Sequence, residues 1–346
     1  MKPYVTLVDV AAAAGLSVTT VSLSLRQHPR IPEATRLRVQ NAARELGYKP
    51  NPMLSSLAAY RQQVIGAKYQ ATIGVISNSE QRGEWRQKHP YQQIYWEGAE
   101  ARGRELGFEL EEFWLREPGV SSERLSKILL ARNIRGLLLL PQPRARSHMN
   151  LAWENFSPVA FGHSLTRPQF HIAGVNHFQS GVTAMRRLRA LGYRRIGFVA
   201  VHEVIERIGS TMLGAYYVER EKRAVQPLVP PLILRRSQMS REAFERWYFQ
   251  HRPDAIFDLG IWSEILMEWI NAMKIRVPEE LGIALSSVEG NHFAGINENI
   301  FKVGVKAIEQ VKAMMDRGEM GIPEIPLRIL VEGTWQQGNT VRRVTG

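Results

Sequence analysis

The sequence predicts a small all-α helix-turn-helix domain followed by a larger α/β core. Residues 6–22 alternate small, apolar and hydroxyl side chains as two short helices around a tight turn would. From about residue 70 strand-like and helix-like runs alternate, and 346 residues at 44% hydrophobic suffice for a sizeable core beyond one small module.

The first helix opens on a capping box. The Thr6 hydroxyl can accept from the N–H of Asp9, whose carboxylate can reach back and suits the positive helix end. Ala11 and Ala14 permit close helix approach, Gly15 can take the left-handed conformation that ends the helix, and Ser17 can cap the second helix through Val18, Thr19, Thr20, Val21, Ser22 and Leu25. Val10, Leu16, Val21 and Leu25 are left to build a core. A third helix follows Pro32, with Val39, Ala42, Ala43 and Leu46 on one face and Gly47 as its stop. The usual ligand of such a unit is duplex DNA, although any small helical bundle can use an Ala-Gly turn.

Tyr48-Lys49-Pro50-Asn51-Pro52 then breaks the helical pattern. Met53 to Tyr60 offers about two turns of helix, too short to stand alone in water. It reads either as a linker or as a hinge helix that folds when DNA is bound. Net charge is +12, of which residues 1–63 hold +5, from eight Lys/Arg against Asp9, Glu33 and Glu45. That density attracts a polyanion, or is simply a solvated basic face. The absence of cysteine excludes disulfides and thiolate metal sites. Met1-Lys2-Pro3-Tyr4 starts no signal-peptide run, and no stretch of about 18 apolar residues occurs, so a soluble cytoplasmic protein without a membrane partner is expected.

In the core, Thr72–Ser77 reads as a strand, Tyr95–Leu106 as a helix stopped by Gly107, and Phe108–Trp114 as the next strand. Leu125–Arg132 continues as a helix, with strands at Gly136–Leu140 and Val159–Phe161. A second set is expected from Ile172–Val175, with a helix at Gly181–Leu191, a strand at Arg195–Val201 and a helix near Thr211–Lys222. Strand Leu228–Leu234, a helix near Arg241–His251 and strand Ala255–Leu259 follow. Such alternation favours parallel sheets covered by helices on both faces.

TLVDVAAAAGLSVTTVS, ATRLRVQNAARELGYKPNP and the LSSLAA segment together resemble the headpiece of the LacI/GalR family of bacterial transcription regulators, in register over about 60 residues. Over the core the likeness rests on IGVIS, GAEARGRELGF, RALGYRRIGFV, RVPEELGIAL and VGVKAIEQV. The resemblance implies a two-lobed, periplasmic-binding-protein-like (Rossmann-like) core with three crossings, here near Thr166, Asn297 and Glu332. The expected organisation is a helix-turn-helix domain over 1–49, a hinge over 50–62 and a core over 63–346. Within the core, lobe one takes about 70–165 and 299–331, and lobe two about 166–296 and 332–346.

It further implies a homodimer or tetramer on a pseudo-palindromic operator, controlled by a small-molecule effector, possibly a sugar or sugar derivative, with no cofactor or metal. By matching position, Val18, Thr19 and Leu23 would read bases, and Thr6, Ser17, Thr20, Ser22, Arg26, Thr35 and Asn51 would touch or neighbour phosphates. Leu23 departs from the arginine many members carry and can only pack on a thymine methyl or fill space. Leu57 would wedge into the minor groove at the operator centre. For the effector, Asn78, Asn176 and Asp258 are polar positions at strand ends, Thr211 replaces the arginine of sugar-binding members, and Ser286-Ser287 stands where an Asp pair is usual.

Trp85, Tyr91, Tyr95 and Trp96 could stack on a sugar face or belong to the core or a dimer interface. An enzyme is disfavoured. His202-Glu203-Val204-Ile205-Glu206 has half of a zinc-hydrolase motif but Glu206 at the second histidine position, no phosphate-binding loop or Gly-x-Ser-x-Gly elbow occurs, and His163, His171 and His177 are irregularly spaced. A solute-binding protein without a regulatory role would share the core and leave the helix-turn-helix unexplained.

Overall fold

The computed structural model describes residues 5–25, 31–48, 69, 71–222, 228–288 and 292–344. Arg26, Asn51, Leu57 and the 50–62 hinge segment lie outside the described residues.

Three helices form the amino-terminal module: α1 (Leu7–Ala14), α2 (Val18–Leu25) and α3 (Glu33–Glu45). The capping box is made in full. Thr6 Oγ1 accepts from the Asp9 N–H at 3.4 Å, and the Asp9 carboxylate accepts from the Thr6 N–H and hydroxyl at 2.7 Å each. Those two bonds hold the Asp9 carboxyl below its ordinary range. Gly15, at φ 64°, turns the chain so that α1 and α2 meet at 101°. Val10, Ala11, Ala14, Val21, Val39 and Ala43 are buried between the helices, with Leu16 and Leu25 packed against them. Among the described residues no single helix is long and apolar enough to cross a membrane.

The core holds two six-stranded sheets. In the first, β1 (Ala71–Ser77), β2 (Phe108–Trp114), β3 (Gly136–Leu139), β5 (Ser157–Phe161), β7 (His171–Val175) and β13 (Arg328–Val331) run all parallel in the order β13-β7-β5-β3-β1-β2. In the second, β8 (Ile196–Val201), β9 (Leu232–Leu234), β10 (Ala255–Leu259), β11 (Gly282–Leu285), β12 (Ala294–Asn297) and β14 (Thr334–Gln336) follow the order β14-β12-β11-β10-β8-β9, with only β14 antiparallel. A short pair, β4 (Ser147–His148) and β6 (Leu165–Arg167), sits outside both sheets. Central strands such as β3, β5 and β8 are buried along their whole length, as strands covered on both faces must be.

Helices α4 (Glu84–Lys88), α5 (Pro90–Leu106), α6 (Ser122–Ala131) and α12 (Ile300–Arg317) accompany the first sheet. With the second go α7 (His177–Ala190), α8 (His202–Arg207), α9 (Thr211–Lys222), α10 (Arg241–His251) and α11 (Ser263–Ala272). Helices α5 and α12 cross at facing glycines: a Cβ on Gly98 would run into the Phe301 carbonyl, and one on Gly304 into that of Tyr95. That close approach seals one face of lobe one.

The first crossing differs from the expectation. It falls at Asn176 and not near Thr166, because β7 pairs with β5 and β13 inside the first sheet, so lobe one reaches residue 175 and lobe two starts with α7. A short apolar run before a helix looks alike in either lobe, and only its pairing decides which sheet takes it. The chain returns to lobe one between Asn297 and Ile300 and leaves it again after Val331.

Candidate nucleic-acid interface and ligand cleft

The amino-terminal end of α2 is open. Val18 is 41% exposed and Thr19 is exposed beside it, so an apolar and a hydroxyl side chain project from a helix end whose dipole favours anions. The neighbouring hydroxyls are engaged locally: Ser17 Oγ lies 2.8 Å from Thr20 Oγ1 and accepts the Thr20 N–H at 3.1 Å. Thr6 serves its capping box. Thr20, Ser22, Leu23 and Thr35 are half-buried. Geometrically, α2 can offer Val18 to a thymine methyl and Thr19 to a base-edge acceptor, with its capped end against phosphate.

In each large sheet the strand order reverses at one place, between β1 and β3 in the first and between β8 and β10 in the second. The carboxyl ends of strands at such switch points open into crevices where ligands bind in α/β folds. A cavity of about 180 Å³ lies at the first, lined by Ser77, Asn78, Trp85, His89, Gln92 and Pro143 among others. Glu112 ties two of these side chains together, accepting from Ser77 Oγ and Trp85 Nε1 at 2.7 Å, and also accepts from Arg86 Nη1 at 2.9 Å. Asn78 donates to Gln142 Oε1 at 2.8 Å and accepts from Arg116 at 2.9 Å.

The five expected effector residues are not brought to one place. All lie at or just beyond carboxyl strand ends or the helices that follow, yet only Asn78 lines the cavity. Asn176 caps α7 by accepting the Gln179 N–H and donates to Glu332. Thr211 donates to the Ile208 carbonyl, and Ser287 is exposed. Asp258 is buried, with Oδ1 lacking a hydrogen-bond partner among the described residues. Burial pushes its carboxyl well above the usual range, against the backbone N–H groups of Ile261 and Gly260. Of the aromatic set, Trp85 and Tyr95 are core, with Tyr95 stacked 4.7 Å from Phe161, while Tyr91 and Trp96 are partly buried.

A residue the sequence reading passed over joins the two lobes. Arg207, the last residue of α8, donates Nη1 to the Tyr91 hydroxyl at 2.8 Å, and Nη2 to the carbonyls of Gln142 at 3.0 Å and Pro143 at 2.8 Å. Arg146 and Glu206 add a cross-lobe ion pair at 3.5 Å. Beside this bridge His89 is half-buried, and burial, Arg207 and Arg236 hold its imidazole below its ordinary value. The one sequence signal for Arg207 is its place shortly before Thr211, where an arginine is missing from the helix that follows.

A family model described as "Bacterial regulatory proteins, lacI family" matches residues 6–51, which contain α1 to α3. The amino-terminal module is thus similar to the helix-turn-helix domain of LacI-family regulators. It is 27% identical over 210 residues to the HTH-type transcriptional regulator PtxS of Pseudomonas plecoglossicida, spanning 60% of this chain and 57% of that relative. It is 26% identical over 293 residues to the HTH-type transcriptional regulator DegA of Bacillus subtilis (strain 168), spanning 80% of each. The fold matches that of a transcriptional regulator CelR–cellobiose complex at TM-score 0.58 and 20% identity, over 97% of this chain and 99% of that one. In the half zinc motif, His202 lies 3.8 Å from Glu206, two side chains of one helix turn.

Proposed function

We propose that this chain is a sequence-specific transcriptional regulator, a repressor that binds a pseudo-palindromic operator as a homodimer or tetramer and answers to a small-molecule effector in the cleft. The observation that carries this reading is the open end of α2, with Val18 and Thr19 uncovered, on a chain whose remainder is a two-lobed ligand-binding fold. A helix-turn-helix reads only a few base pairs, so pairing two modules on two half-sites is what lengthens the recognised sequence. Val18, Thr19 and Leu23 read bases; Thr6, Ser17, Thr20, Ser22, Arg26, Thr35 and Asn51 set the register on phosphates; Leu57 wedges at the centre.

The effector is carbohydrate-related, in keeping with the cellobiose held by CelR. It enters between the carboxyl strand ends, where Asn78 meets it first, and shifts the lobes and with them the paired hinge segments. Asn176, Thr211, Asp258 and Ser287 would reach it only after the lobes rearrange. The protein acts in the cytoplasm, where the operator lies. As a free solute-binding protein the chain would have no use for its headpiece.

Selection of bound duplexes from a random pool tests the proposal directly. The expected result is a palindrome with a flexible central step, bound with an affinity that falls steeply with salt. Failure to bind any duplex at low ionic strength, or binding as a strict monomer, would overturn it.

A further inference from the structure

The guanidinium of Arg207 is held across the lobes by three neutral oxygens, the Tyr91 hydroxyl and the Gln142 and Pro143 carbonyls. Among the described residues it has no acidic partner. Of the nearby acids, Glu80 lines the cavity from an exposed position, and the others are already engaged. Glu84 binds Lys88 and accepts the N–H groups of Glu80 and Gln81. Glu206 faces Arg146 and His202, and Glu203 accepts the Arg236 N–H. Further positive charge stands close by, since Arg207, Arg236 and Lys88 all act on His89, which lines the cavity. Pro143, whose carbonyl Arg207 grips, lines the same cavity.

A partly buried guanidinium attracts a carboxylate or phosphate more strongly than it does carbonyls, because an anion adds direct charge–charge attraction and accepts two parallel N–H bonds at once. We propose that the effector is an anion, a hydroxylated carbon chain bearing a carboxylate or phosphate, and that Arg207 exchanges its neutral oxygen partners for that group. Its hydroxyls then face Asn78, Gln92 and the Ser77 end of β1. Binding thus turns the bridge between the lobes from one set of partners to another, which couples occupancy to lobe position. The inference rests on the reading of the cleft as the effector site.

The test uses the full chain and three panels: sugar acids, sugar phosphates and their neutral parent sugars. Ligand-induced thermal shift and calorimetry report binding, and affinity for the selected duplex is recorded in parallel. At least one acid or phosphate should raise the melting temperature and change duplex affinity, while its neutral parent does neither. Which panel responds distinguishes carboxylate from phosphate. Arg207→Met should weaken that anion about 10- to 100-fold, the loss of one or two charge-assisted bonds, and Arg207→Lys should restore part of it. Melting of each unliganded variant shows whether it folds; should Arg207→Met not fold, the Lys variant and the comparison of anion with neutral parent still decide. A neutral parent binding as tightly as its acid or phosphate, no response to either anionic panel, or unchanged anion affinity in folded Arg207→Met would overturn the proposal. Duplex binding that persists in those cases leaves the regulator reading standing, and its absence would sink that reading separately.

Discussion

Val18 and Val21 stand one turn apart on α2 but differ in burial, and substituting each separates folding from recognition. Val21 is fully buried between the three helices, whereas Val18 is 41% exposed. Val21→Ala removes two methyl groups, about 1.6 kcal/mol at ~0.8 kcal/mol each, and the cavity left behind raises the cost to about 2.5 kcal/mol. A module of roughly 45 residues has only about 2–7 kcal/mol in hand, so most of its margin can disappear. Hydrogen exchange of headpiece amides should therefore quicken about 50-fold, at about 1.4 kcal/mol per tenfold. Core-strand amides should not change, because the headpiece cluster shares no residue with the lobe clusters. Duplex affinity should drop only by the unfolded fraction. Val18→Ala should do the reverse, leaving headpiece exchange within about 0.5 kcal/mol while weakening duplex binding. Equal acceleration of exchange in both variants, or loss of affinity in Val21→Ala with exchange unaltered, would show that the roles of Val18 and Val21 have been assigned wrongly.

Three further outcomes are expected. Gly98→Ala should lower the melting temperature of lobe one, because its Cβ meets the Phe301 backbone and α5 must part from α12, a strain of about 1–3 kcal/mol; an unchanged melt would mean the crossing is looser than it looks. His163 is held down to about 4, first by burial and then by Arg328 and His177. The unfolded chain takes up this proton near pH 6.5 and the folded one only near 4, so stability should fall between those values, by at most about 3 kcal/mol, and level off below; His163→Gln should flatten that slope in urea titrations at successive pH values. Leu57→Gly should lower operator affinity strongly in a gel-shift titration while core melting stays put, and unaltered affinity would remove the wedge from the mechanism.

What was legible in the sequence follows from how local the determining physics is. Thr6, Asp9, Gly15 and Ser17 act on neighbours three or four residues away, so their caps and the turn could be read directly. Gly107 likewise ends α5, at φ 83°. Helix starts were read less well: α5 begins at Pro90 and α7 at His177, each a turn or so before the apolar periodicity becomes visible. Sheet membership of β7 is not legible in the sequence, because pairing between residues far apart along the chain decides it. Asn176 caps α7, and an asparagine after a strand suits capping and ligand binding alike, so its letter alone does not separate the two.

The cleft was the least legible part, and the reason is chemical. Two of the three groups that hold Arg207 are backbone carbonyls, which every residue possesses, so no letter in the sequence announces them. Gln142 and Pro143 supply those carbonyls only because the chain leaves β3 at the switch point, and Arg207 meets them only because α8 follows β8 on the facing lobe. Where the resemblance implies an arginine the chain has Thr211, whose hydroxyl donates to the Ile208 carbonyl. One cation of the cleft, Arg207, stands four residues earlier, at the end of a preceding helix. Moving a charge from one helix to another keeps it in the cleft while changing where a ligand's charged group must sit. Effector preference in such a fold is therefore set by which element carries the charge as much as by whether one is present.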